Sequence, residues 1–117
     1  MINAFTIDVE EWFHVCGVPA LAEPSAWDGL ESRVVDDTQR TLDLLDRCGV
    51  RATCFVVGWV AERHPRLVAH IRDAGHEIGS HGHWHRRVYE LDPDEFTRDL
   101  RLANAALIAA GAPRPTQ

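Results

Sequence analysis

Short apolar runs alternate with amphipathic segments along this chain, and that alternation constrains the fold more than any other feature. Residues 2–8 read as a buried strand that ends in an acid, Asp8. Residues 35–47 put Val35, Thr38, Leu42 and Leu45 on one face at helical spacing, with Asp36 and Asp37 in the first turn. Gly49 then stands where a left-handed helix cap falls. Residues 51–57 form a second apolar run. A helical stretch from Trp59 breaks at Pro65, resumes with Leu67, Val68 and Ile71 on one face, and closes at Gly75. Residues 77–80 read as a short third strand. The last helix has the clearest start: Asp92 as N-cap, Pro93 in the first helical position and Glu95 in the third. It runs to about residue 110, where Gly111, Pro113 and Pro115 end it.

Strands alternating with helices build parallel βαβ units. The three strands read as apolar on both faces, as strands covered by helices should be. Residues 9–32, with Gly17, Pro19, Pro24 and Gly29 and no clear period, form a connection long enough to suggest a function. The chain has 117 residues. Three strands do not close a barrel, and parallel barrels take roughly 200 residues or more. Residues 1–117 are therefore expected to form one incomplete domain, the N-terminal part of a longer barrel. Its open sheet is expected to expose apolar barrel-facing surface and to favour self-association.

The net charge of -6 argues against nucleic acid or an anionic membrane as partner, because both reward basic patches. Cys16, Cys48 and Cys54 are odd in number and make no C-x-x-C pair, which fits a reduced, cytoplasmic protein and three buried small hydrophobes. The N-terminal residues lack a basic region, a long apolar run and a small-residue cleavage site, so they do not read as a signal peptide. No run of about 18 apolar residues spans a membrane.

The densest chemistry is His81-Gly82-His83-Trp84-His85, directly after the third strand. In parallel α/β folds ligands gather at the carboxyl ends of strands, and Asp8 ends the first strand on the same rim. Carboxylate and imidazole converging there would suit a divalent metal with an open position for water. Strand alternation sends Asp8 and Glu10 one way and Val9 the other, with Glu11 expected toward solvent. His64, His70 and His76 read as surface or local hydrogen-bonding residues; His14, in the long connection, stays open as a neighbour of the site. Trp12, Phe13, Trp27 and Trp59 read as core cover rather than groove lining, and Arg86 and Arg87 as a solvated pair.

These residues, in this order, resemble the polysaccharide deacetylase (NodB homology) family, metal-dependent hydrolases on an irregular (β/α) barrel. Phe5-Thr6-Ile7-Asp8-Val9-Glu10 looks like the family's first motif, residues 49–58 (GVRATCFVVG) like its second strand, and residues 75–85 (GHEIGSHGHWH) like its G-H-E-[IV]-x-x-H-x-x-x-H motif. The form TIDVEEWF is nearest the subgroup found with exopolysaccharide gene clusters. The resemblance implies removal of N-acetyl groups from a polysaccharide or oligosaccharide, with an N-acetylated carbohydrate as partner and a divalent metal, zinc, as cofactor. Asp8 then resembles the catalytic base, and His81 and His85 the two metal-binding histidines. The usual first motif has two adjacent aspartates, the second on the metal. Val9 stands in that place here; relatives with an acid two residues on would make Glu10 the third ligand, and the carboxylate on the metal is expected from Asp8, Glu10 or both. His83 falls on a variable position. The family's later motifs, an arginine-bearing loop and a catalytic-acid histidine, find no match up to Gln117, so residues 1–117 alone are expected to be inactive or nearly so. Two other functions fit the same residues: hydrolysis of another linear amide or ureide, and a non-catalytic metal-binding fragment.

Overall fold

Three strands of four residues each carry the fold in a computed structural model that describes residues 3–114: β1 (Thr6–Val9), β2 (Thr53–Val56) and β3 (Glu77–Ser80). Ile2 and Pro115, read from sequence as part of the first strand and of the stop after the last helix, lie outside the described residues. The strands form one parallel sheet in the order β1-β2-β3. Thr6, Thr53 and Glu77 stand in register, as do Asp8, Phe55 and Gly79.

Alternate side chains point to opposite faces, and the two faces differ in kind. Val9, Cys54 and Val56 are buried and join the main apolar core, with Ile7 and Ile78 packed against it. The other face carries Thr6, Asp8 and Glu77 exposed and Thr53 and Phe55 half-buried. The expectation of strands apolar on both faces is thus corrected. Helices cover one face only, and the uncovered face is mostly polar, with Thr53 donating a hydrogen bond to Glu77. The anticipated apolar barrel-facing surface reduces to Phe55, whose ring lies against Gly79.

Helix α1 (Val34–Arg47) buries Val34, Thr38, Leu42 and Leu45. Val34 takes the position foreseen for Val35, since spacings of four, four and three keep one stripe on the sheet. Helices α2 (Gly58–Arg63) and α3 (Pro65–Asp73) are split at His64, because Pro65 can start a helix but cannot continue one. Helix α4 (Pro93–Ala109) opens on a complete capping box: Glu95 N donates to Asp92 Oδ1 at 2.8 Å, and Asp92 N donates to Glu95 Oε2 at 3.0 Å. Loss of such a cap costs about 1 kcal/mol.

The long connection is ordered by three 3-10 turns, Trp12–His14, Pro19–Leu21 and Pro24–Ala26. Phe13, Trp27 and Trp59 are buried together, with ring centroids 5.5 to 6.0 Å apart. Aromatic pairs of this kind add about 0.5–1.5 kcal/mol each beyond their buried area, which fixes the connection against α2. Glu11 is the main departure from the sequence reading. It is 1% exposed rather than solvated, and accepts hydrogen bonds from Ser32 Oγ and, at 3.0 Å, from Arg33 N. A buried carboxylate must be paired, and this pairing ties the start of the connection to its end. Cys54 is buried as expected, but Cys16 and Cys48 are exposed. Among the described residues no helix is long and apolar enough to cross a membrane.

His76 is buried at the foot of β3 and accepts from Ala52 N at 3.1 Å through Nδ1. Burial, then the Arg51 charge, lower its pKa from 6.5, against a smaller opposite pull from Asp46. The folded chain therefore binds fewer protons than the unfolded chain once pH falls below the unfolded value, and stability declines from there downward. Urea midpoints between pH 7.5 and 5 should fall with pH in the wild type. His76→Asn, which keeps an acceptor but does not titrate, should show a shallower decline. An identical slope in both proteins would remove His76 from the account.

Candidate active site

Backbone bonds carry the sheet register just past the strands: Val57 N donates to Val9 O at 3.1 Å, and His81 N donates to Val56 O at 3.0 Å. Glu10, Gly58 and His81 are therefore held at one rim, the carboxyl ends of three adjacent strands. At that rim Glu10 Oε2 lies 3.2 Å from His81 Nε2 and 2.7 Å from His85 Nε2, and the two imidazole nitrogens are 3.1 Å apart. Glu10, His81 and His85 are the group of possible metal-holding side chains found among the described residues. Asp8 Oδ2 stands 3.8 Å from His81 Nε2, with its side chain more exposed than the other three.

The donor set fits a divalent ion. Ligand bonds of 2.0–2.1 Å in tetrahedral array leave ligand atoms about 3.3 Å apart, close to the three separations found. Glu10 Oε2 is buried and, among the described residues, makes no hydrogen bond of good geometry, its close neighbours being the two imidazole nitrogens that would share the ion. One carboxylate oxygen and two imidazole nitrogens also leave a fourth position for water.

The loop between the histidines is clamped from two sides. Gly58 N and Trp59 N, at the start of α2, donate to Gly82 O at 2.8 Å and His83 O at 3.2 Å. From α4, Asp99 accepts His83 N at 2.7 Å on Oδ2 and Trp84 N at 3.1 Å on Oδ1. Gly82 has φ +71°, and a Cβ there would come within 2.8 Å of Asp99 Oδ2. His85, which is not glycine, has φ 53°. Such a conformation costs of order 1–3 kcal/mol and persists only where the surroundings impose it. The sequence reading missed Asp99. Its one signal was an acid on the face of α4 that also holds Ala103, Ala106 and Leu107.

His83 turns away from the triad. It is 2% exposed, and its Nε2 lies 3.8 Å from Glu62 Oε2. Burial lowers its pKa, against the opposing charges of Glu62 and Asp99. His14 is buried under the same loop, its ring roughly parallel to that of His85 at 6.0 Å. Its Nδ1 accepts Glu11 N at 3.2 Å. Burial first, then His85, His81 and Arg63, push its pKa down to about 4, so it is neutral near pH 7. Arg86 and Arg87 pair with Glu95 at 3.5 Å and Glu90 at 3.0 Å and leave the triad to the acids and imidazoles.

A polysaccharide deacetylase family model matches residues 27–117. That match begins after Asp8 and Glu10, so the acidic half of the rim rests on geometry and on structural likeness. The chain is similar to a peptidoglycan-N-acetylglucosamine deacetylase of Bacillus cereus, 35% identical over 63 residues, 54% of this chain and 23% of the relative. It is similar to a chitooligosaccharide deacetylase of Rhizobium leguminosarum bv. trifolii, 32% identical over 73 residues, 62% of this chain and 34% of the relative. A solved structure of a Mycobacterium smegmatis protein assigned to the polysaccharide deacetylases superposes with TM-score 0.76 at 31% identity, over 96% of this chain and 40% of that one. The chain thus spans less than half the length of these relatives. Its three parallel strands and helices have the α/β fold of the deacetylase barrels over most of the chain. The chain belongs to the polysaccharide deacetylase family.

Proposed function

We propose that this chain carries the metal-binding part of a carbohydrate N-deacetylase, a divalent-metal-dependent hydrolase acting on an N-acetylated polysaccharide or oligosaccharide. The observation that carries the reading is the convergence of Glu10 Oε2, His81 Nε2 and His85 Nε2 beside Asp8. The relatives named above are, by name, deacetylases of peptidoglycan N-acetylglucosamine and of chitooligosaccharide, which supports this substrate class. The TIDVEEWF form supports a position near the exopolysaccharide-cluster subgroup, with Glu10 in place of an acid directly after Asp8.

In this reading Glu10, His81 and His85 hold the metal, zinc by its preference for nitrogen and carboxylate donors in a tetrahedral array. An ion held there supplies Lewis acidity, making water a stronger acid near neutral pH and polarising an acetamide carbonyl. Asp8 stands beside the triad without sharing its tight contacts, and its carboxylate takes the proton from the attacking water. The C–N bond then breaks, acetate leaves, and the amine needs a proton from a further group. Residues 1–117 form, in the same proposal, the N-terminal part of the domain, and that acid comes from the remainder of the barrel. Among the described residues neither β1 nor β3 has a neighbour on its outer side, so residues 1–117 alone should be marginally stable or self-associate.

Elemental analysis should find one zinc per chain in the wild type and none in His81→Ala, His85→Ala or Glu10→Gln. Retained metal in both histidine variants would sink the assignment. Asp8→Asn should keep its zinc but lose about 10²- to 10⁴-fold in the rate of acetate release from an N-acetylglucosamine oligomer, measured on the longest form of the protein. Loss of zinc in that variant would move Asp8 from base to ligand. Residues 1–117 by themselves should release no acetate and should scatter light as more than a monomer. Robust turnover by a monodisperse monomer would show that a complete site lies within these residues.

A further inference from the structure

Cys16 has no part in the chemistry above, yet its sulfur lies against a residue of the triad. Its Sγ is 3.7 Å from His85 Nδ1 and 3.5 Å from His85 O, across 69 positions of sequence. A thiol offers one weak donor and weak acceptor capacity, whereas a carbonyl oxygen only accepts. The consistent pairing is S–H donating to His85 O while the sulfur accepts Nδ1–H. That pairing leaves His85 Nε2 unprotonated, on the side that faces Glu10 Oε2 and His81 Nε2. Metal-binding histidines ordinarily give their other ring N–H to an outer partner, which sets tautomer and ring orientation. Neither a carboxylate nor another side chain is hydrogen-bonded to His85 Nδ1 among the described residues; the thiol is what the fold brings there.

We propose that Cys16 is a positioning residue, which holds His85 as the Nδ1–H tautomer and so strengthens divalent-metal binding at Glu10, His81 and His85. The long connection thereby gains a specific task. Glu11 ties its ends at Ser32 and Arg33, the aromatic cluster fixes it on α2, and Cys16 comes to rest behind the ligand. Because Cys16 is exposed, its replacement leaves the buried core untouched. The inference rests on the metal reading given above.

The test compares zinc affinity of wild type, Cys16→Ala and Cys16→Ser by competition with a chromogenic chelator, with melting temperatures of the metal-free proteins as a control for folding. Cys16→Ala should bind zinc about 10- to 100-fold more weakly at an unchanged metal-free melting temperature. Cys16→Ser, which keeps a donor and an acceptor, should recover most of that loss. In the zinc-loaded wild type the His85 Nδ1–H proton should be visible by NMR and slow to exchange, and it should exchange rapidly in Cys16→Ala. Equal zinc affinity in wild type and Cys16→Ala would overturn the role of Cys16 and leave the metal reading standing. Absence of zinc binding by the wild type would overturn both.

Discussion

The rim exists because three short parallel strands share one register. Asp8, Phe55 and Gly79 stand side by side in the sheet, and the ladder runs one bond further on each side of β2. A slip of one residue in β1 would exchange Val9 with Asp8 and Glu10 between the faces, burying acids under helices and exposing a core residue. The buried side of the sheet, with Val9, Cys54 and Val56 nearly inaccessible, makes that exchange expensive at about 25 cal/mol per Å² of apolar surface. The core thus decides the orientation of Asp8 and Glu10. Hydrophobic packing on one face fixes which acids stand on the other.

Two buried carboxylates then convert a positioned rim into a positioned site. Glu11 joins the ends of the connection after β1, and Asp99 joins α4 to the loop between the histidines. Both accept bonds from groups that would otherwise be unpaired in a dry setting, and each unpaired group would cost roughly 1–3 kcal/mol. The loop needs this support, since it holds positive φ at both Gly82 and His85. Asp99 and Gly82 are also matched in shape, because a side chain at position 82 would occupy the space of the Asp99 carboxylate.

The sequence made the elements legible because their signals are local. Helical spacing in α1, Pro65 between α2 and α3, and the Asp92-Pro93-Asp94-Glu95 start of α4 each declare themselves within a turn. The convergence of Asp8, Glu10, His81 and His85 was legible from their places at strand ends. The one-sided covering of the sheet was not, because Thr6, Thr53 and Glu77 reveal a shared polar face only once their register is known. Glu11, Asp99 and Cys16 escaped for a related reason. Their partners lie 21, 16 and 69 positions away, and nothing near them in sequence announces those contacts.

The central claim is that Glu10, not Asp8, completes the histidine pair as a metal site and leaves Asp8 free for proton transfer. Diffraction at the zinc absorption edge from crystals of the zinc-loaded protein tests it most directly. The account predicts one anomalous peak about 2.0–2.2 Å from Glu10 Oε2, His81 Nε2 and His85 Nε2, with Asp8 outside bonding distance. A peak bonded to Asp8 with Glu10 turned away, or no peak at these histidines, would contradict it.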